Sequence, residues 1–146
     1  MSAIEVPASW EYFVEQFREG WSAPLADEFI ARFKPLFDEN AILTQPLAPT
    51  AVGHAGMERV FRALFIAIPQ ISTEIVRWGA SSDSLFIEGV MTAKIGRHTV
   101  TVPHCDRFTM NPDGIVTERF AYFDPKPFVT AFLRSPSTWP RLIRAR

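Results

Sequence analysis

The chain has a single cysteine, Cys105, so no disulfide closes within it, and this usage fits a reducing compartment. Net charge is nearly absent. Fifteen basic side chains against sixteen acidic ones leave −1, which removes the electrostatic motive for nucleic acid or an anionic membrane as main partner. Long apolar runs are missing as well: the longest, residues 63–68, falls far short of the ~20 residues that span a bilayer. Residues 1–7 lack the basic start and apolar stretch of a secretory leader. A soluble, cytoplasmic protein is expected, with neither nucleic acid nor membrane as partner. No glycine-rich phosphate loop occurs, since Gly20, Gly53 and Gly56 are wrongly spaced for a nucleotide fingerprint.

What is present is enough for one domain. A chain of 146 residues with 47% hydrophobic content can bury a core without disulfides or a structural metal. Its aromatic set is lopsided, with 13 Phe against 2 Tyr, and must either fill that core or line a pocket for something equally apolar.

Periodicity sets out the elements. Trp10, Phe13, Val14, Phe17 and Trp21 recur at helical spacing behind a capping Ser9. A second helix after Ser22, with Pro24 in its first turn, gathers Leu25, Phe29, Phe33 and Leu36 until Pro35 kinks or ends it. Residues 40–49 predict a short edge strand running into a loop. A third helix from Gly53 packs Met57, Val60, Phe61, Leu64 and Ile68 until Pro69. Beyond it the period changes to two, and residues 71–78, 84–95, 98–110 and 115–123 predict four strands, antiparallel because their joints are short. Asp124-Pro125 opens a brief helix through Leu133. The tail, 135–146, is basic and is expected to be loosely held, with Trp139 able to fold over a pocket mouth. Helices first and strands afterwards make an α+β domain over residues 1–134.

If the loop 111–114 joins paired strands, Met110 faces Ile115, Asp106 faces Arg119 and His104 faces Ala121. Alternation then puts His104, Asp106, Phe108, Arg119 and Ala121 on one face. An acid, a base and an arginine on one apolar wall is the arrangement acid-base catalysis uses. The same residues also read as a cross-strand ion pair beside a satisfied interior histidine. Glu88 joins this face only if the connection through Gly96-Arg97 has an odd number of residues; a two-residue hairpin opposes it to Cys105. Tyr122 falls on the other face. The strand 84–95 is apolar on both faces, with Phe86 and Val90 on one and Leu85, Ile87 and Met91 on the other, which predicts that the second face meets another copy in a homodimer. His104-Cys105-Asp106 alternates faces, and His54 and His98 have no ligand spacing to it, so no metal is expected.

The runs Phe37-Asp38-Glu39-Asn40-Ala41, Gly53-His54-Ala55-Gly56-Met57, Asp113-Gly114-Ile115-Val116 and Tyr122-Phe123-Asp124-Pro125, with residues 65–69, carry a resemblance. In order and spacing the chain resembles the nuclear transport factor 2-like superfamily, and more closely its SnoaL-like polyketide cyclase and ketosteroid isomerase-like branch. The resemblance implies a cone-like fold, with three N-terminal helices on a strongly bent antiparallel sheet whose concave face lines an internal pocket. It implies a cofactor-independent isomerase, cyclase or lyase acting on a small hydrophobic carbonyl or ring compound, with Asp106 and His104 as acid-base pair and Arg119 keeping Asp106 ionised. Ketosteroid isomerases carry their aspartate base where this chain has Gln45 before Pro46, and an oxyanion-stabilising acid at His104. Limonene-type epoxide hydrolases set an arginine between two acids, where Phe86, Glu88 and Ala121 stand. A neutral amide cannot abstract a proton and only one acid remains, so neither mechanism carries over unchanged. Substrate contacts are expected from Glu88, Phe86, Phe108, Gln45, Ala121 and Phe17. Two alternatives stand beside the enzyme: a non-catalytic binding module for an apolar ligand or protein partner, and an epoxide hydrolase-like activity. Fold alone does not choose among them.

Overall fold

The computed structural model describes residues 8–145; residues 1–7, read above for a leader, and Arg146 lie outside the described residues. The first helix, α1 (Ala8–Ser22), turns Trp10, Phe13, Val14, Phe17 and Trp21 into the core. Ser9 lies inside it rather than capping it. The second, α2 (Ala26–Phe33), buries Phe29, Ile30 and Phe33, while Leu25 stands just outside as its N-cap residue and is exposed, not on the buried face. Pro35 ends the α-helical path in a 3-10 turn, Lys34–Leu36. The third helix, α3 (Gly53–Ala67), starts where Gly53 takes φ +76 with the Glu39 carbonyl 2.9 Å from where a Cβ would stand, a place only glycine fills without strain.

Six strands form one sheet: β1 (Phe37–Thr44), β2 (Ala51–Val52), β3 (Ile71–Ser81), β4 (Ser84–Ile95), β5 (His98–Met110) and β6 (Val116–Phe123), in the order β2-β1-β6-β5-β4-β3. The meander from β3 to β6 is antiparallel as expected. The strand expected at 40–49 is longer and is not an edge. It begins at Phe37, carries β2 on its outer side, and pairs in parallel with β6, so the sheet is mixed rather than wholly antiparallel. The connection from β1 to β6 runs through α3 and the whole meander, which is the long crossover parallel neighbours require.

The turn between β5 and β6 corrects the expected register. Asn111 accepts the backbone N–H groups of Asp113 and Ile115 on its side-chain oxygen, and Gly114 takes φ +79, so Ile115 belongs to the turn and Met110 pairs with Val116. A bulge beside Thr109 and Met110 shifts the ladder once more. Asp106 is therefore opposite Ala121, Phe108 opposite Arg119, and His104 opposite Phe123. Two one-residue shifts restore the parity, and the predicted face survives although its pairs do not.

Asp124 accepts the Lys126 backbone N–H at the start of α4 (Lys126–Leu133), and the chain then continues through a 3-10 turn, Pro136–Thr138, into α5 (Trp139–Arg144). This segment is not the loose tail expected. Ser135 and Thr138 are buried, the Ser135 hydroxyl donates to the Ile95 carbonyl, and the Trp139 indole N–H donates to the Phe132 carbonyl. Among the described residues no helix is long and apolar enough to cross a membrane.

The docked segment rests on the β4–β5 hairpin, where Gly96 takes φ +61 and a Cβ would stand 2.6 Å from the Ser135 hydroxyl. Gly96→Ala is expected to lose roughly 1–2 kcal/mol from the left-handed backbone alone, plus the contact with Ser135, read as a lower thermal midpoint. A loss no larger than this backbone cost would mean that the segment after Arg134 is not packed on the hairpin.

Candidate active site

Alternation on β5 and β6, with Thr73 from β3, brings four polar side chains into an interior otherwise built from aromatic and aliphatic groups. Thr73 is 5% exposed, His104 6%, Asp106 2% and Arg119 7%. Burial of this kind is tolerated only with partners, and the four satisfy one another in a chain. Arg119 donates to Asp106 Oδ2 from Nε at 3.2 Å and from Nη2 at 3.0 Å, and its Nη1 donates to Gln45 Oε1 at 2.7 Å. His104 Nδ1 lies 3.2 Å from Asp106 Oδ1, and His104 Nε2 lies 2.5 Å from Thr73 Oγ1, which in turn lies 3.1 Å from the Val90 carbonyl. The Arg119 guanidinium also stands over the Phe61 ring, 5.6 Å from its centroid.

Burial alone would raise the Asp106 carboxyl, but the Arg119 charge and the hydrogen bonds from His104 and Arg119 outweigh it and hold the group below the ordinary carboxylate range. An ionised Asp106 only accepts, so His104 Nδ1 carries a proton. The far nitrogen has two hydrogen-bonded states. Either Nε2 accepts the Thr73 hydroxyl, or it donates to Thr73 while that hydroxyl donates to Val90. Both arrangements keep the ring nitrogen and the Thr73 hydroxyl hydrogen-bonded, the first by giving up the bond from Thr73 to the Val90 carbonyl.

Two residues that the periodicity did not mark make this geometry. Thr73 on β3 lies two strands away from His104 on β5, with β4 between them. The ring crosses β4 over Gly89, where a Cβ would stand 2.6 Å from His104 Nε2 and 2.7 Å from the Glu74 carbonyl. A glycine inside an otherwise apolar strand is the signal that could have pointed to this close approach.

The other expected site residues divide between the faces. Phe17, Phe108 and Ala121 are buried on the concave side, and Gln45 reaches it from the end of β1. Glu88 and Phe86 do not belong there. Gly96-Arg97 forms a two-residue hairpin, Ile95 pairs with His98, and so Glu88 is opposite Cys105 and Phe86 opposite Arg107 on the convex face. Glu88 pairs there with Arg77 at 3.0 Å. Cys105 shares that face, and burial first, then the Asp106 and Glu88 charges, push its thiol up, away from a nucleophilic thiolate. Among the described residues no three His, Cys, Asp or Glu stand together as a metal would need.

The expected internal pocket is almost filled by its own lining. Phe13, Phe17, Trp21, Phe61, Phe108 and neighbouring rings close around Arg119 and leave about 10 Å³, room for one water. A larger space lies outside it: an open groove of about 520 Å³ formed by Thr44, Gln45 and Pro46 against Phe120, Ala121, Tyr122 and Phe123. Gln45 stands between the two spaces, lining the groove and bonded to Arg119.

A SnoaL-like domain model matches residues 14–119, from α1 to the arginine of this chain of hydrogen bonds. The chain belongs to the SnoaL-like domain family. No curated protein matches it. Among solved structures, this SnoaL-like chain is similar to a protein described as a SnoaL-like polyketide cyclase from Jannaschia sp. CCS1, at 19% identity and TM-score 0.76, covering 90% of this chain and 97% of that one. It is similar to TerC co-crystallised with polyporic acid, at 18% identity and TM-score 0.72, covering 85% and 97%. It is also similar to an epoxide hydrolase of the LEH-like type from M. tuberculosis, at 18% identity and TM-score 0.66, covering 90% and 94%. At these identities the likeness establishes the α+β fold of this SnoaL-like domain and leaves its chemistry to the residues above.

The buried chain makes a stability prediction. Asp106→Asn leaves Arg119 charged and unpaired and is expected to cost roughly 3–5 kcal/mol, most of it regained in the double variant Asp106→Asn/Arg119→Met. Because the folded pKa of Asp106 is depressed, its contribution is full at neutral pH and is lost as pH falls through the ordinary carboxylate value of 3.8 toward the folded one. The gap between wild-type and Asp106→Asn midpoints should therefore narrow as pH falls below about pH 4. Thermal melts across pH check this; a gap that ignores acid would contradict the ionised pair.

Proposed function

We propose that this SnoaL-like protein is a cofactor-independent acid-base enzyme of the isomerase, cyclase or lyase type, acting on a small hydrophobic carbonyl or ring compound. The observation that carries the reading is the continuous buried chain from Thr73 through His104, Asp106 and Arg119 to Gln45. A purely structural ion pair needs neither a histidine with two hydrogen-bonded proton states nor an end that meets an open groove. In this reading Arg119 is the group that meets the substrate, stabilising negative charge as it develops on oxygen. Asp106 stays ionised and holds the guanidinium in position, and His104 takes the substrate's proton at Nε2, the nitrogen not committed to Asp106, as the Thr73 hydroxyl turns to the Val90 carbonyl, and gives it back from there. A carboxyl held below its ordinary range is a weak base, which assigns the proton-carrying role to the imidazole and the orienting role to Asp106. The likeness to TerC co-crystallised with polyporic acid supports a ring compound as ligand class.

Binding without chemistry is the second reading, favoured by an interior that leaves about 10 Å³. The epoxide hydrolase alternative has less support, because Arg119 stands between one acid, Asp106, and one amide, Gln45, rather than between two acids.

The reading includes a homodimer through the convex face. Phe86, Tyr122 and Ile42 stand there at 38%, 47% and 42% exposure around the Arg107–Glu118 pair, and Arg107 Nε is buried without a partner. Sedimentation at micromolar concentration is expected to give twice the 16.5 kDa chain mass, and Tyr122→Glu to return it to one. A wild-type monomer would contradict this.

Exchange of the hydrogens beside a ketone carbonyl with solvent deuterium, followed by NMR for enolisable ring ketones such as 1-indanone and 2-tetralone, tests the acid-base reading without knowledge of the native substrate. Wild type should accelerate exchange over buffer. Asp106→Asn should lose about 10²-fold or more, and the double variant with Arg119→Met should regain stability but no exchange. Ketone binding without exchange would favour the binding module.

A further inference from the structure

We propose that the Gln45 side chain is a built-in stand-in for the ligand: its amide oxygen occupies the place on Arg119 Nη1 where the carbonyl oxygen of a small ring ketone binds, and the groove beside it receives the ring. The inference rests on the acid-base reading above and adds to it the atom that takes the oxygen and the residue that keeps the site closed.

The three donor nitrogens of Arg119 are not equivalent. Nε and Nη2 both serve Asp106 Oδ2, at 3.2 and 3.0 Å, whereas Nη1 donates only to Gln45 Oε1, at 2.7 Å. An amide oxygen and a ketone oxygen are the same kind of acceptor, planar and uncharged, so a ketone replaces Gln45 with no change in charge. A carboxylate does not. Arg119 is already matched by Asp106, and a second anion would bring an unpaired charge against a buried pair.

Space points the same way. About 10 Å³ beside the aromatic cluster takes no ring, but the groove of about 520 Å³ falls within the ~300–1,000 Å³ of small-molecule sites. Its walls from Pro46, Phe120, Ala121 and Phe123 offer apolar surface, and Gln45 is the lining residue that also touches Arg119. Moving Gln45 therefore joins groove to guanidinium. The side chain leads into a turn in which Leu47 is exposed and adopts φ 69, a conformation leucine rarely takes.

The test titrates the full-length protein with 1-indanone, indane and indane-1-carboxylate, followed by amide NMR shifts and by the carbonyl stretch of bound 1-indanone. Gln45→Ala should bind 1-indanone about tenfold more tightly than wild type and leave indane unchanged, with the stretch lowered by the guanidinium bond. The carboxylate should bind to none of them better than indane does. Gln45→Asn, which keeps the amide but shortens its reach, should fall between wild type and Gln45→Ala and serves if the alanine variant does not fold. An equal gain for indane and 1-indanone, or no gain for either, overturns the proposal, as does a ketone preference that persists when Arg119→Met and Asp106→Asn are added. Ketone selectivity without hydrogen exchange would retain this inference and remove the acid-base reading; exchange that ignores residue 45 would do the reverse.

Discussion

The ion pair between Asp106 and Arg119 is the constraint on which the rest of the site depends. Each charge is held out of water, where either alone would be costly, and the pair is stable only while every remaining donor and acceptor is met. That requirement recruits His104 to Asp106 Oδ1, Thr73 to the far nitrogen of the ring, and Gln45 to the free end of the guanidinium. It extends to the backbone as well. The ring reaches Thr73 only because Gly89 has no side chain. A polar chain from the third strand to the end of the first thus follows from burying one acid beside one arginine.

Much of this was legible in the chain's own order. The change of period after Pro69 marks the helices-then-strands architecture, and parity along the fifth and sixth strands puts His104, Asp106, Phe108, Arg119 and Ala121 on one face. The pairing along that face was not legible, because it depends on Asn111 drawing Ile115 into the turn and on a bulge beside Met110, neither of which leaves a periodic trace. Glu88 turned on a count of residues in one hairpin; the two-residue turn at Gly96-Arg97 sends it to the convex side. The parallel place of the first strand is a tertiary fact, decided where that strand meets β6 after a long excursion. Thr73 and Gly89 were missed because their role appears only when three strands lie side by side.

The filled interior changes where chemistry can occur. In a cone-like SnoaL fold the aromatic side chains were expected to surround a ligand; here they surround one another, with Phe13, Phe17 and Phe108 in edge contact. The acid and the imidazole lie behind Arg119, and the guanidinium with its amide partner is the part of the chain nearest open space. Where the resemblance to ketosteroid isomerases implies an aspartate base and an oxyanion-stabilising acid, this chain has an amide at Gln45 and an imidazole at His104.

Nitrogen-15 NMR of the His104 ring tests the central claim most directly, since the whole chain turns on which nitrogen carries a proton toward Asp106. A protonated Nδ1 bonded to the Asp106 carboxylate is expected, with Nε2 facing the Thr73 hydroxyl. A neutral ring with the proton on Nε2 and a bare Nδ1 would contradict it, because Asp106 would then neither orient the imidazole nor share a proton path with it.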